Sequence, residues 1–309
     1  MSRTTDWLSD AGFGAGWRLV RLLPAKMADA LFAAGGDIAA VRGGSGVSQL
    51  RRNLRRVVPQ ANEDELDELT KKAMRSYARY WQEAFRLPSM NHDALADRFA
   101  AGVEGKENLD AALRDGNGAI LALPHSGNWD AAGVWVVNRY GQFTTVAERL
   151  KPESLYQRFV SYRESLGFEI LPLTGGARAL PLLKSRLRDN RIVCLLADRD
   201  LTSAGIPVTF FGEPTRMPPG PAWLAARTGA ALLPLTTWFT EDGWGMRIHP
   251  RVRVNDREEI ASATQHVADA FAGDIAAHPA DWHMLQKLWL ADLDDERRHD
   301  LDTADAGEP

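Results

Sequence analysis

The chain has 309 residues, 45% of them hydrophobic, which is enough apolar material for one large core or two ordinary ones. A net charge of -4 with a sequence pI near 6.0 argues against a nucleic-acid-binding protein, because no whole-chain cationic excess is present to neutralise phosphates. Cys194 is the single cysteine, so no internal disulfide forms and a reducing compartment suits the chain. No apolar run approaches the ~20 residues that span a bilayer, and the N-terminus lacks the apolar stretch of a signal peptide. The expected location is therefore cytosolic or peripheral to a membrane.

Charge is spread unevenly. Residues 1–60 hold nine Lys/Arg against four Asp, and residues 291–309 hold eight Asp/Glu against Arg297 and Arg298. Residues 1–45 read as helical: Phe13, Trp17, Val20 and then Leu23 or Met27 recur at helical spacing, with Arg18, Arg21 and Lys26 off that stripe. Two readings fit this segment. It is either a helix packed on the domain or an interfacial helix on an anionic membrane surface, with aromatic rings among the headgroups and basic residues meeting phosphates. "GFGAG" at 12–16 follows no strand and is not a nucleotide loop.

"RGGSGVS" (42–48) reads as a flexible break, and a long helix is predicted over 64–88. Its apolar side is Leu66, Leu69, Met74, Tyr77, Tyr80 and Trp81, and Pro88 follows its end. From residue 117 short apolar runs alternate with helical segments. Strands are predicted at 119–123, 144–147, 168–172, 191–197, 208–211, 231–239 and 246–254, with helices at 129–139, 152–166, 177–188 and 220–229. This alternation predicts an α/β fold: a largely parallel central sheet of about seven strands, covered by helices on both faces, with an N-terminal amphipathic helical segment. Residues 1–298 read as a single domain and 299–309 as an acidic flexible tail.

Ligand sites of such sheets gather at the carboxyl ends of strands. His125 lies just past "AILAL", after Pro124 interrupts the ladder and before Asn128 or Asp130 starts the next helix. Asp198 and Asp200 stand past "RIVCLLA", and Glu148 ends "TTVA", so three acidic strand ends share an edge with one histidine. That set suits a general base whose carboxylate partner fixes the imidazole tautomer. The plainer reading is a capped turn with carboxylates in rim salt bridges to Arg149, Arg163 or Arg199.

There is no HExxH, no paired CxxC and no GxSxG, and Ser126 directly follows His125, so the two side chains diverge. A base without a protein nucleophile points to a substrate hydroxyl or water as the nucleophile. Arg216, in a Gly/Pro-rich stretch ahead of a helix, is either a surface-loop residue or a phosphate contact at the same rim.

The segments "HSGNWD", "GFEILPL", "LLADRD", "VTFFGEPTRMPPGPAWLAARTGA" and "WHMLQ", in this order, resemble the bacterial lipid A biosynthesis (lauroyl/myristoyl) acyltransferase family within the lysophospholipid acyltransferases. "GWRLVRLLP", "SYARYWQEAFRLP" and "TTVAERLKPESLYQRFVSYRESLGF" are similar to its actinobacterial branch, which acylates phosphatidylinositol mannosides. The resemblance covers nearly the whole chain. It implies a peripheral enzyme on the cytoplasmic face of the cell membrane, meeting an anionic membrane surface and no nucleic acid. The implied reaction transfers a long acyl group, chiefly palmitoyl, from acyl-CoA as co-substrate to the 6-hydroxyl of the mannose at inositol position 2 of phosphatidylinositol mono- or dimannoside, with no further cofactor and no metal.

By the same resemblance His125 is the catalytic base, Asp198 its carboxylate partner and Asp130 a motif acid that orients Arg163. Glu148 is a supporting acid, and Arg163 and Arg216 fall where acyl-CoA and phosphate groups are received. Arg227, in the matching helix, is counted with Arg163 and Arg216 among the substrate- and acyl-CoA-binding residues, at a position where the family pattern has an acidic residue. Asp198 also departs from the pattern, which has Glu there. One methylene shorter, it is expected to need a backbone shift or a bridging water to reach His125. A thioesterase using the same base, and a non-catalytic lipid-binding protein, are the rival readings.

Overall fold

The computed structural model describes residues 20–148, 153–172, 179–200 and 204–294. Among the described residues, 20–22 are helical, and α1 (Ala25–Arg42), α2 (Ser45–Val57) and α3 (Glu63–Arg86) follow. The predicted break over 42–48 shrinks to Gly43 and Gly44, whose φ angles of 70° and 123° reverse the chain, and α2 begins immediately after them. α3 opens with a capping box in which Asn62 accepts from the Glu65 amide while the Glu65 carboxylate accepts from the Asn62 amide. α1 packs tightly on α3, since a Cβ on Gly36 would lie 2.9 Å from the Met74 carbonyl oxygen. The opposite side of α1 shows Met27, Leu31, Ile38 and Val41 to solvent, each more than half exposed. Phe13 and Trp17 of the predicted N-terminal stripe, Arg18 beside it, and the acidic tail over 299–309 lie outside the described residues.

The remainder alternates strands and helices: α4 (His92–Ala100), β1 (Val103–Glu104), α5 (Lys106–Arg114), β2 (Ala119–Leu123), α6 (Trp129–Tyr140), β3 (Thr144–Ala147), α7 (Glu153–Ser165), β4 (Glu169–Pro172), α8 (Ala179–Arg188) and β5 (Ile192–Leu196). Then follow β6 (Ile206–Phe210), β7 (Glu213–Met217), α9 (Gly220–Thr228), β8 (Ala231–Phe239), β9 (Trp244–Ile248) and α10 (Ile260–Ala277). Seven strands form one sheet in the order β1-β9-β8-β2-β5-β3-β4. Neighbours from β8 to β4 are parallel, whereas β9 runs antiparallel to β8 and parallel to β1.

Side-chain alternation along the central strands builds a three-layer core. Ile120, Ala122, Val193, Leu195 and Leu232 enter one apolar cluster with side chains of α8, α9 and α10. Ala119, Leu121, Leu123, Ile192 and Leu233 enter the other, with residues of α3, α4, α5 and α6.

Two strand expectations are corrected. The run at 208–211 is not in the sheet: β6 pairs with β7 as a separate antiparallel hairpin. "EPTRM", with its Glu, Pro and Arg, carries no apolar alternation to announce that partner. The seventh place is taken by the two-residue β1, too short to leave a pattern. The run at 246–254 ends as a strand at Ile248, and Val252 returns only as an isolated bridge to Leu232. Among the described residues no helix is long and apolar enough to cross a membrane.

Candidate active site

β2 and β5 lie side by side with Leu123 opposite Leu196, and the Ala197 amide donates to the Leu123 carbonyl (2.8 Å), carrying the ladder one step further. Two residues past each strand end, His125 and Asp198 therefore meet. Asp198 Oδ1 accepts from His125 Nδ1 at 2.7 Å, and Asp198 Oδ2 accepts from the His125 backbone amide at 2.9 Å. The pair forms directly. No backbone shift or bridging water is needed, because the strand register brings the backbones close enough for the shorter acid.

Asp198 is completely buried, whereas 31% of the His125 side chain is exposed. Burial pushes the Asp198 carboxyl up, but attraction to His125, the two hydrogen bonds from that residue and a third from Trp282 Nε1 (3.1 Å) outweigh it and hold the group below its ordinary value. An ionised carboxylate can only accept, so Nδ1 carries the proton and the Nε2 lone pair is left for a reactant.

The turn that presents His125 is fixed from behind. The His283 amide donates to the His125 carbonyl (2.7 Å) and the Gly127 amide to the Asp281 carbonyl (2.8 Å). Gly127 sits at φ 54°, and a Cβ there would lie 2.6 Å from the Thr237 carbonyl carbon, so the position requires glycine. Asn128 caps α6 by accepting from the Ala131 amide (2.9 Å) and donates its side-chain amide to Glu83 Oε2 (2.6 Å).

Asp281 joins this support to α3 and β8, accepting from Ser76 Oγ (2.6 Å) and from the Phe239 amide (2.9 Å). His283 is buried against Ser76, and burial, then repulsion from His125, push its imidazole down to about 3. Glu83, Asp281, Trp282 and His283 carry no signal in spacing or periodicity; only the family-like "WHMLQ" touches two of them.

Asp130 faces away from His125 into a buried cluster. Its Oδ1 accepts from Arg163 Nε (2.9 Å), and its Oδ2 from the Tyr80 and Tyr162 hydroxyls (3.1 and 3.4 Å). Burial raises both phenols well above their ordinary value. Arg163 is thus the ion-pair partner of Asp130; 19% of its side chain is exposed, and it borders the cavity described below.

Glu148 ends β3 on the same rim but is exposed, and nothing among the described residues joins it to His125. Arg216 belongs to β7 rather than to a loop. It is buried, donates to the Gly205 carbonyl (2.6 Å) and borders a small recess with Arg199, Asp200 and Lys287. Arg227 is displaced from the site altogether. It lies in the last turn of α9, four residues before the start of β8, and β8 runs parallel to β2, so it stands at the opposite edge of the sheet and packs over Trp223 at 5.3 Å.

Beside the pair, a narrow apolar cavity of about 60 Å³ opens between the sheet and α6, lined by Leu121, Leu123, Trp129, Phe143, Phe168 and Cys194 among others. Trp129 connects the two features, meeting the His125 ring edge-on at 5.7 Å and stacking on Tyr80 at 4.1 Å. Gly133 lets α6 approach the floor, since a Cβ there would lie 2.4 Å from Phe168 Cζ.

A mostly parallel sheet with a histidine-carboxylate pair at its strand ends and an apolar cavity alongside has the form of an α/β enzyme built around a general base. Residues 2–291 match the bacterial lipid A biosynthesis acyltransferases, and the chain belongs to that family. It is similar to the phosphatidylinositol mannoside acyltransferase of Mycolicibacterium smegmatis, with 58% identity over 96% of either chain. It is also similar to the enzyme of that name from Mycobacterium tuberculosis, with 55% identity over 96% of this chain and 92% of the relative. The enzyme is an acyltransferase of α/β fold.

Proposed function

We propose that this acyltransferase moves a palmitoyl group from acyl-CoA to the 6-hydroxyl of the mannose at inositol position 2 of phosphatidylinositol mono- or dimannoside. The acceptor class follows from the names of its relatives. The observation that carries the mechanism is the direct Nδ1 to Oδ1 contact of His125 and Asp198 at 2.7 Å, beside an apolar cavity. His125 Nε2 takes the proton of the sugar hydroxyl as its oxygen bonds to the thioester carbonyl carbon. The C–S bond then breaks, and the imidazolium returns the proton to the leaving thiolate. Asp198 holds the tautomer and stabilises the imidazolium. General-base help of this kind contributes ~10² to 10⁴ in rate.

The start of the acyl chain enters the cavity, and each methylene taken from water there contributes about 0.8 kcal/mol. Work takes place at the cytoplasmic face of the cell membrane. The exposed row Met27, Leu31, Ile38 and Val41 on α1 is suited to the acyl boundary of a lipid surface, and the basic residues Arg21, Lys26 and Arg42 to its anionic headgroups.

Mass spectrometry of products formed from palmitoyl-CoA and a panel of glycolipid acceptors tests the reading. An acylated mannoside is expected from the wild type, and His125→Ala should nearly abolish it while leaving acyl-CoA binding intact. Free palmitate as the main product with acceptor present would instead identify a thioesterase, and no acyl-CoA consumption a lipid-binding protein.

A further inference from the structure

Asp198 hangs on a short arm in a fully buried niche and divides its two oxygens unequally. Oδ1 has His125 Nδ1 as its partner, while Oδ2 accepts both the His125 amide (2.9 Å) and the indole Nε1 of Trp282 (3.1 Å). The terminal torsion of an aspartate is soft, so nothing in the side chain itself fixes the plane of the carboxylate against the imidazole. Trp282 is fully buried and its ring is wedged edge-on between Phe210 and Trp289 at 5.9 and 6.0 Å. Its backbone is held to the histidine turn by a bridge to Ser126, flanked by the Gly127 and His283 amide bonds described above. A rigid donor is thus aimed at the oxygen that does not touch the imidazole. It is carried by a segment locked to the same turn.

We propose that Trp282 is a positioning residue for the acyl transfer. Its indole N–H pins Asp198 Oδ2, so that Oδ1 stays in line with His125 Nδ1 and the imidazole presents Nε2 to the acceptor hydroxyl. The backbone amide of His125 alone is a hinge about which the carboxylate can swing; the second donor removes that freedom. The inference rests on the acyl-transfer reading for its kinetic consequence but not for its structural one.

The test uses the full-length enzyme with Trp282→Phe, which removes the N–H. A second protein carries benzothienylalanine at position 282, which removes the same N–H and keeps the bicyclic shape if the smaller ring fails to fold. Both are expected to lower kcat roughly tenfold or more, the factor attached to losing one hydrogen bond to a charged group, with KM for acyl-CoA and acceptor unchanged. In both, the low-field NMR signal of the His125 Nδ1 proton should move upfield or broaden. An unchanged Nδ1 signal, or a kcat within twofold of wild type in the benzothienylalanine protein, overturns the proposal. If the wild type transfers no acyl group, the NMR comparison still decides the positioning role, and only the functional reading fails.

Discussion

Leu123 and Leu196 face each other as the last paired residues of β2 and β5, and this one register sets the active-site geometry. Equal steps of two residues beyond them bring a histidine and an aspartate to 2.7 Å. The acid's length is matched to that register. Asp198→Glu adds a methylene inside a niche with no exposure, so its carboxylate must either displace Trp282 or turn from Nδ1. Steady-state kinetics should show kcat reduced by at least about tenfold, as expected when an activated base loses its orienting partner; wild-type kcat in the variant would contradict the register argument.

Gly127→Ala places a Cβ against the Thr237 backbone at a left-handed φ. The backbone strain alone costs on the order of 1–3 kcal/mol. A lower urea midpoint with an unchanged slope is expected, together with lost activity, because the turn carrying His125 must move.

Asp130→Asn breaks a buried ion pair and leaves the Arg163 charge uncompensated. Such losses cost about 3–5 kcal/mol. Thermal unfolding should register the change even in the absence of substrate, which separates a scaffold acid from one that moves protons.

His283 predicts an acid-sensitive fold. The unfolded chain binds a proton on this imidazole below about 6.5, whereas the native state resists it down to about 3 because the ring is buried beside His125. Between those values the unfolded state holds more protons, so stability falls as pH falls from 6.5 towards 3. Urea denaturation at pH 7 and pH 5 should show that loss in the wild type and a smaller one in His283→Gln.

Leu31→Asp with Ile38→Asp removes apolar contact from the outer face of α1 without touching its α3 side. Co-sedimentation with anionic vesicles should weaken, and added salt should weaken it further by screening the basic residues nearby. Unaltered binding of the double variant would move the lipid-facing surface elsewhere.

The strand ends at His125, Glu148 and Asp198 could be read from sequence because "AILAL", "TTVA" and "IVCLLA" are apolar runs of strand length followed by polar residues. Their register could not, since pairing depends on backbone contacts between segments some 70 residues apart. The short Asp198 arm reaches His125 only because Leu123 and Leu196 stand opposite each other, which no local pattern reveals. The support behind the turn was hidden for a related reason: residues 281–283 follow α10 without any period of their own. The position of Arg227 is likewise illegible, because sequence alone does not tell which end of α9 faces the strand ends.

Cys194 gives the cavity a chemical handle. It is the only thiol in the chain, it lies on β5 in the cavity wall, and desolvation there raises its pKa well above that of a free cysteine. Held as the neutral thiol, it is a sluggish nucleophile towards water-soluble reagents, and an alkyl chain filling the space would shield it further. The alkylation rate at this one atom therefore reports occupancy of the cavity in the unmodified protein, with no second cysteine to confuse the readout.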